Sequence, residues 1–145
     1  MENSEFVVKK EISINAEPSV VWEALTNPEK TKDYFFNCKV FSDWKTGGDI
    51  IFKRKIFFFF NFEIRGKILK VEPRRILRYL LANSDSTAFS TVTDTLVYQD
   101  GKTILSITDD VGAGKDAQER YDKSEKGWDK ILIGLKEYVE SENAA

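Results

Sequence analysis

The C-terminal part of the chain, residues 116–141, repeats apolar side chains three or four positions apart. This stripe consists of Tyr121, Trp128, Ile131, Leu132, Leu135, Tyr138 and Val139. The period predicts one long amphipathic helix, which must cover an apolar surface built by the rest of the chain. Gly127 and Gly134 lie close to one face of this helix, and we expect them to allow close approach to a sheet.

The region before this helix consists of short segments typical of strands and turns. Two-residue alternation predicts a strand at 6–14, and Pro18 and Asn27-Pro28 indicate two short helices, the second running through Tyr34. Further strands are predicted near 38–44, 49–56, 58–72, 75–82, 90–98 and 103–109, the last two joined by an Asp-Gly hairpin turn. Because strands and helices do not alternate, the pattern favours an antiparallel α+β fold over a parallel sheet. We expect a single domain spanning residues 1–145.

The sequence contains no histidine and one cysteine, Cys38. Without histidine, the chain lacks Ser-His-Asp and Cys-His nucleophiles and histidine-containing zinc sites. An all-carboxylate magnesium or calcium site stays open, but no EF-hand spacing of carboxylates is present. The sequence therefore predicts no metal, no cofactor and no catalytic triad, and it favours a binding protein over an enzyme.

Charge and hydropathy indicate where the protein acts. The formal net charge is −2, from 22 basic and 24 acidic residues, which offers no general attraction to nucleic acid. The longest apolar run, residues 56–60, is far shorter than the ~20 residues of a membrane span. The N-terminus lacks the basic start and apolar run of a signal peptide. We therefore expect a cytoplasmic protein with no membrane span and no nucleic-acid partner.

A bent sheet has a concave face that one helix cannot fill, so this arrangement predicts a cavity for a hydrophobic small molecule. The predicted lining is Trp22, Leu25, Trp44, Phe52, Phe60, Trp128, Leu132 and Leu135. The alternative is that these rings simply pack the core, and the sequence leaves that open.

Asp94 is the candidate polar group of the cavity. In the strand 90–98 it shares a face with Val92, Leu96 and Tyr98. The sequence does not settle which face of this strand points inward. An inward Asp94 would be desolvated, with a raised pKa, whereas an outward Asp94 would be an ordinary surface charge.

Five of the eleven phenylalanines lie between Phe57 and Phe62. In a strand, Phe58, Phe60 and Phe62 would face one way, and Phe57 and Phe59 the other. We hypothesise that Phe57 and Phe59 form a dimer contact or an apolar lip at the cavity mouth. The alternative is that they fold under a neighbouring loop.

Several short motifs occur in a characteristic order along nearly the whole chain. They are Pro18-x-x-Val21-Trp22-x-x-Leu25-Thr26-x-Pro28, Tyr34-Phe35, Asp43-x-x-x-Gly47-Gly48, Gly66-x-Ile68-x-x-Val71-Glu72-Pro73 with Leu77, and Gly127-Trp128-x-x-x-Leu132-x-x-Leu135. In these motifs the chain resembles the activator-of-heat-shock-protein-90-ATPase-homologue-like family of the START/birch-pollen-allergen (SRPBCC) superfamily. The resemblance implies a helix-grip fold: a curved antiparallel sheet of about six or seven strands around a long C-terminal helix, with two short helices after the first strand.

The same resemblance implies binding of an apolar or amphipathic small molecule, lipid-like or polyketide-like, between sheet and helix. One alternative is a chaperone-associated or regulatory interaction module, because relatives help to stimulate a chaperone ATPase. A second alternative is a cyclase- or dehydratase-like enzyme, in which Asp94, Glu63 or Tyr79 would act as acid or base.

Overall fold

The computed structural model describes residues 6–56, 60–82 and 89–144. The elements follow the predicted order: β1 (Val7–Ile14), α1 (Pro18–Thr26), α2 (Pro28–Thr31), β2 (Lys39–Ser42), β3 (Asp49–Ile56), β4 (Phe60–Glu72), β5 (Ile76–Ala82), β6 (Phe89–Gln99), β7 (Lys102–Asp110) and α3 (Ala117–Ala144). Phe57 and Phe59, the predicted interface residues, lie outside the described residues, as does the side chain of Phe60.

Seven strands of the described ranges form one antiparallel sheet in the order β1-β7-β6-β5-β4-β3-β2. Each strand from β2 to β6 pairs with the next along the chain, and the last strand, β7, also pairs with β1. A register shift between Ile68 and Lys70 interrupts the β4–β5 pairing, and such bulges increase the bend of a strand. The predicted curved α+β helix-grip architecture is confirmed.

The core lies between the inner face of this sheet and α3. The helix buries the apolar stripe that the sequence indicated, including Trp128, Leu132 and Leu135, while Ile133 on its other side is 55% exposed. Strand β7 alternates in the same way, with Leu105 and Ile107 buried. The two-residue alternation of β7 and the helical spacing of α3 therefore bring the buried side chains of both elements into one continuous apolar layer. No helix in the three described ranges is long and apolar enough to span a membrane.

The second short helix ends earlier than predicted, at Thr31 instead of Tyr34. The Asn27 side chain caps its start by accepting a hydrogen bond from the Glu29 backbone N–H at 2.9 Å. Residues 32–37 follow as turns, in which Phe36 and Asn37 adopt left-handed backbone angles, with φ of 51° and 63°. The turns that follow α2 carry the chain past Gly127 and Gly134 of α3 and into β2.

The two glycines of α3 do not face the sheet, so that prediction was wrong. A Cβ atom built on Gly134 would lie 3.3 Å from Tyr34 Cβ, and one on Gly127 would lie 4.0 Å from Phe36 Cε2. Both neighbours belong to the turns after α2. The glycines therefore allow these turns to pack on the helix, and only Gly134 is in tight contact.

We expect Gly127→Ala to stabilise the protein by about 1 kcal/mol, because alanine has the higher helix propensity and its methyl group fits. Gly134→Ala should gain much less or lose stability, because Tyr34 is fixed by the hydrogen bond that its hydroxyl donates to the Ala24 carbonyl at 2.7 Å. Urea unfolding of both variants tests this. Equal gains at the two positions would contradict the packing described for Gly134.

Candidate functional site

The space between α3 and the inner face of the sheet, called the hollow below, is walled almost entirely by apolar side chains. Six predicted cavity residues line it: Leu25, Trp44, Phe52, Trp128, Leu132 and Leu135. Trp22 does not line it, and instead packs half-buried against the core from α1. Sequence reasoning placed Trp22 inward because it lies near Val21 and Leu25 on the helix surface.

The hollow has a volume of about 20 Å³, enough for about one water molecule. Among the described residues, the hollow is smaller than the ligand-sized cavity expected from the sequence, because aromatic rings meet across the space. Phe35 is central: its ring centroid lies 5.3 Å from that of Phe52 and 5.9 Å from that of Trp128, the latter at 89°. Phe52 in turn lies 5.9 Å from Tyr79. Phe35 was not among the lining residues predicted from the sequence.

Asp94 points inward, so the alternative of an outward surface charge was wrong. It is only 4% exposed, and it sits on β6 opposite Leu77 of β5 and Ile107 of β7. Its Oδ1 atom is buried and has no hydrogen-bond partner among the described residues. Burial, and then the charge of Asp109, raises the pKa of Asp94 to about 7.

Asp109 is a second buried carboxyl group, which the sequence analysis missed. Its Oδ2 atom accepts hydrogen bonds from Ser124 Oγ at 2.6 Å and Trp128 Nε1 at 3.0 Å. Burial raises the pKa of Asp109, and these hydrogen bonds oppose that effect. The signal was present, because Asp109 continues the inward alternation of Leu105 and Ile107 along β7. Trp128 thus joins the wall of the hollow to this carboxylate.

Of the three acid–base candidates, the structure brings together Asp94 and Tyr79. Burial raises the pKa of Tyr79 well above its ordinary value, and the charge of Asp94 adds to this effect. Glu63 instead lies away from the hollow, where it pairs with Arg65 at 2.7 Å and Lys53 at 3.6 Å. Across residues 6–56, 60–82 and 89–144, no cluster of three Cys, Asp or Glu side chains could hold a metal ion.

A curved antiparallel sheet gripping one long helix, with an apolar hollow between them, defines a protein of the START/birch-pollen-allergen type. The sequence profile described as "Activator of Hsp90 ATPase homolog 1-like protein" matches residues 15–140. The chain therefore belongs to that family. No curated protein matches the sequence.

Solved structures share this fold. ChR145 from Cytophaga hutchinsonii is 31% identical, with a TM-score of 0.75, over 99% of this chain and 100% of that one. The Aha1 dimer from Colwellia psychrerythraea is 18% identical, with a TM-score of 0.74, over 92% and 96% of the two chains. DynU16, a putative protein in the dynemicin biosynthetic locus, is 20% identical, with a TM-score of 0.70, over 94% of this chain and 48% of that one.

Proposed function

We propose that the protein binds an apolar small molecule with one polar group in the hollow, and that the polar group meets Asp94. The observation that carries this proposal is the unpartnered Asp94 Oδ1 atom in a space otherwise walled by apolar and aromatic side chains. A buried carboxyl oxygen without a partner destabilises a fold, so stability alone does not account for it. A ligand that supplies the missing partner does.

A ligand enters by displacing the turns on either side of β2, residues 32–38 and 43–48, whose Phe35 and Trp44 rings line the hollow. Three non-glycine residues of these turns, Phe36, Asn37 and Trp44, have φ between 51° and 63°. Left-handed angles cost roughly 1–2 kcal/mol for Phe36 and Trp44 and less for Asn37, because asparagine tolerates them. An opening that releases these angles recovers this strain, which lowers the free energy needed to enlarge the hollow from its present volume of about 20 Å³.

The relative DynU16 comes from a locus for the biosynthesis of dynemicin, a context of small-molecule chemistry. It supports the choice of a small organic ligand for a chain of this fold.

Filling the hollow tests the proposal. We expect Leu132→Trp to lower the affinity for the neutral apolar dye Nile red by about tenfold or more, because the larger ring occupies the remaining space. Ile133→Trp is the matched control, because the neighbouring side chain lies on the exposed face of the same helix. Fluorescence titration gives the affinities, and circular dichroism confirms that both variants fold.

Two results would contradict the proposal. One is Nile red binding that Leu132→Trp and Ile133→Trp weaken equally. The other is an absence of saturable binding to the unaltered protein, which would show that the turns on either side of β2 do not open for an apolar guest.

A further inference from the structure

We infer, resting on this proposed function, that the molecule in the hollow carries a cationic amine whose ammonium group pairs with Asp94. The inference concerns the chemical class of the ligand, which neither the family nor the fold specifies. It follows from the charge of the interior, from the rings around it and from the unpartnered carboxylate oxygen.

The described wall of the hollow is acidic. No lysine or arginine lines the hollow in the described part of the chain, while Asp94 lines it and Asp109 lies close enough to shift the pKa of Asp94. A buried carboxylate needs a positive charge or several hydrogen bonds to offset its desolvation. A ligand ammonium group provides both, whereas a ligand carboxylate would add a third acid to the same space.

The walls of the hollow are suited to a cation as well as to a hydrocarbon. Phe35, Phe52, Tyr79 and Trp128 form a chain of ring contacts with centroids 5.3–5.9 Å apart. The faces of aromatic rings attract ammonium groups, most strongly when water is excluded. Tyr79 pairs with Val92 on β6, two residues from Asp94, so ring and carboxylate lie on neighbouring strands. A cation held by Asp94 is therefore placed beside aromatic carbon.

The proposal also predicts a pH dependence. The titratable groups near Asp94 are Asp109 from β7, Tyr79 from β5 and Tyr34 from the segment after α2. α3 contributes only uncharged side chains to the wall. Since Asp94 without ligand has a pKa of about 7, it becomes a carboxylate between pH 6 and 8.5, while an alkyl amine stays charged to about pH 10. Amine affinity should rise across that interval, and alcohol affinity should not.

Three probes of equal chain length separate the possibilities: n-octylamine, 1-octanol and octanoate. Isothermal titration calorimetry at pH 8.5 should show octylamine binding about tenfold more tightly than octanol, and octanoate binding most weakly, because only the amine makes a charge-assisted hydrogen bond. This ranking uses the unaltered protein, so it does not depend on the folding of any variant.

Asp94→Asn should reduce octylamine affinity to that of octanol. Asp129→Asn, which removes an exposed carboxylate of α3, should leave it unchanged. If none of the three probes binds, the proposed function fails. If octanol binds as tightly as octylamine, or if Asp94→Asn does not weaken the amine, the amine inference is overturned while binding in the hollow stands.

Discussion

Asp94→Asn is expected to stabilise the ligand-free protein by about 4 kcal/mol at pH 9 and by less than about 1 kcal/mol at pH 4. The pKa of Asp94 is about 7 in the folded protein, against an ordinary value of 3.8. The folded state therefore holds this proton more tightly than the unfolded chain does. The resulting destabilisation is absent below pH 3.8, grows as the pH rises, and is complete above pH 7. Asparagine removes the charge and keeps the shape.

Urea unfolding at the two pH values measures this difference. Asp100→Asn is the matched control, because it removes the same charge from the exposed turn between β6 and β7 and should change stability little at either pH. A gain from Asp94→Asn that does not depend on pH, or a loss at pH 9, would show that the carboxylate is stabilised in the ligand-free protein.

Trp128→Ala is expected to destabilise the protein by about 3–5 kcal/mol, because it removes a large buried side chain from the wall of the hollow. The indole ring is 7% exposed and packs edge-on against Phe35. Its Nε1 atom also donates a hydrogen bond to Asp109 Oδ2, so the truncation leaves that carboxylate with a weaker set of partners. The loss follows from packing and from the buried charge together.

Chemical unfolding followed by circular dichroism tests this prediction. Trp128→Phe keeps an aromatic ring but not the N–H donor, so its free energy of unfolding should lie between those of Trp128→Ala and the unaltered protein. Ile133→Ala, on the exposed face of the same helix, should change the free energy of unfolding by no more than about 0.5 kcal/mol. A cost for Trp128→Ala no greater than that for Ile133→Ala would contradict the packing around Phe35.

Most of the architecture could be predicted because its signals are local and periodic. The spacing from Tyr121 to Val139 and the alternation in residues 6–14 each identify an element and its buried face. Errors arose where distant segments meet. Gly134 was predicted to face the sheet, because spacing identifies one face of a helix but not the segment that packs against that face. That segment contains Tyr34. The end of α2 at Thr31 is not marked in the sequence by a glycine or a proline.

The candidate site was harder to predict for the same reason. The alternation of β6 allowed two orientations, and only packing against Leu77 and Ile107 turns Asp94 inward. The volume of the hollow depends on Phe35, which reaches it from an irregular segment with no repeating pattern. Asp109 could have been predicted by continuing the inward alternation of β7 from Ile107 to the next inward residue. In any strand, a polar residue that continues an apolar alternation in this way is a candidate buried group.

Binding of an apolar molecule in the hollow is tested most directly by an NMR titration of methyl-labelled protein with 1-octanol. Because octanol carries no charge, the result does not depend on the proposed pairing of an amine with Asp94. We predict intermolecular nuclear Overhauser effects between octanol and the methyl groups of Leu132, Leu135 and Ile107, which line the hollow. Contacts confined to exposed residues such as Leu69 and Ile133, or no contacts at saturating octanol, would contradict it.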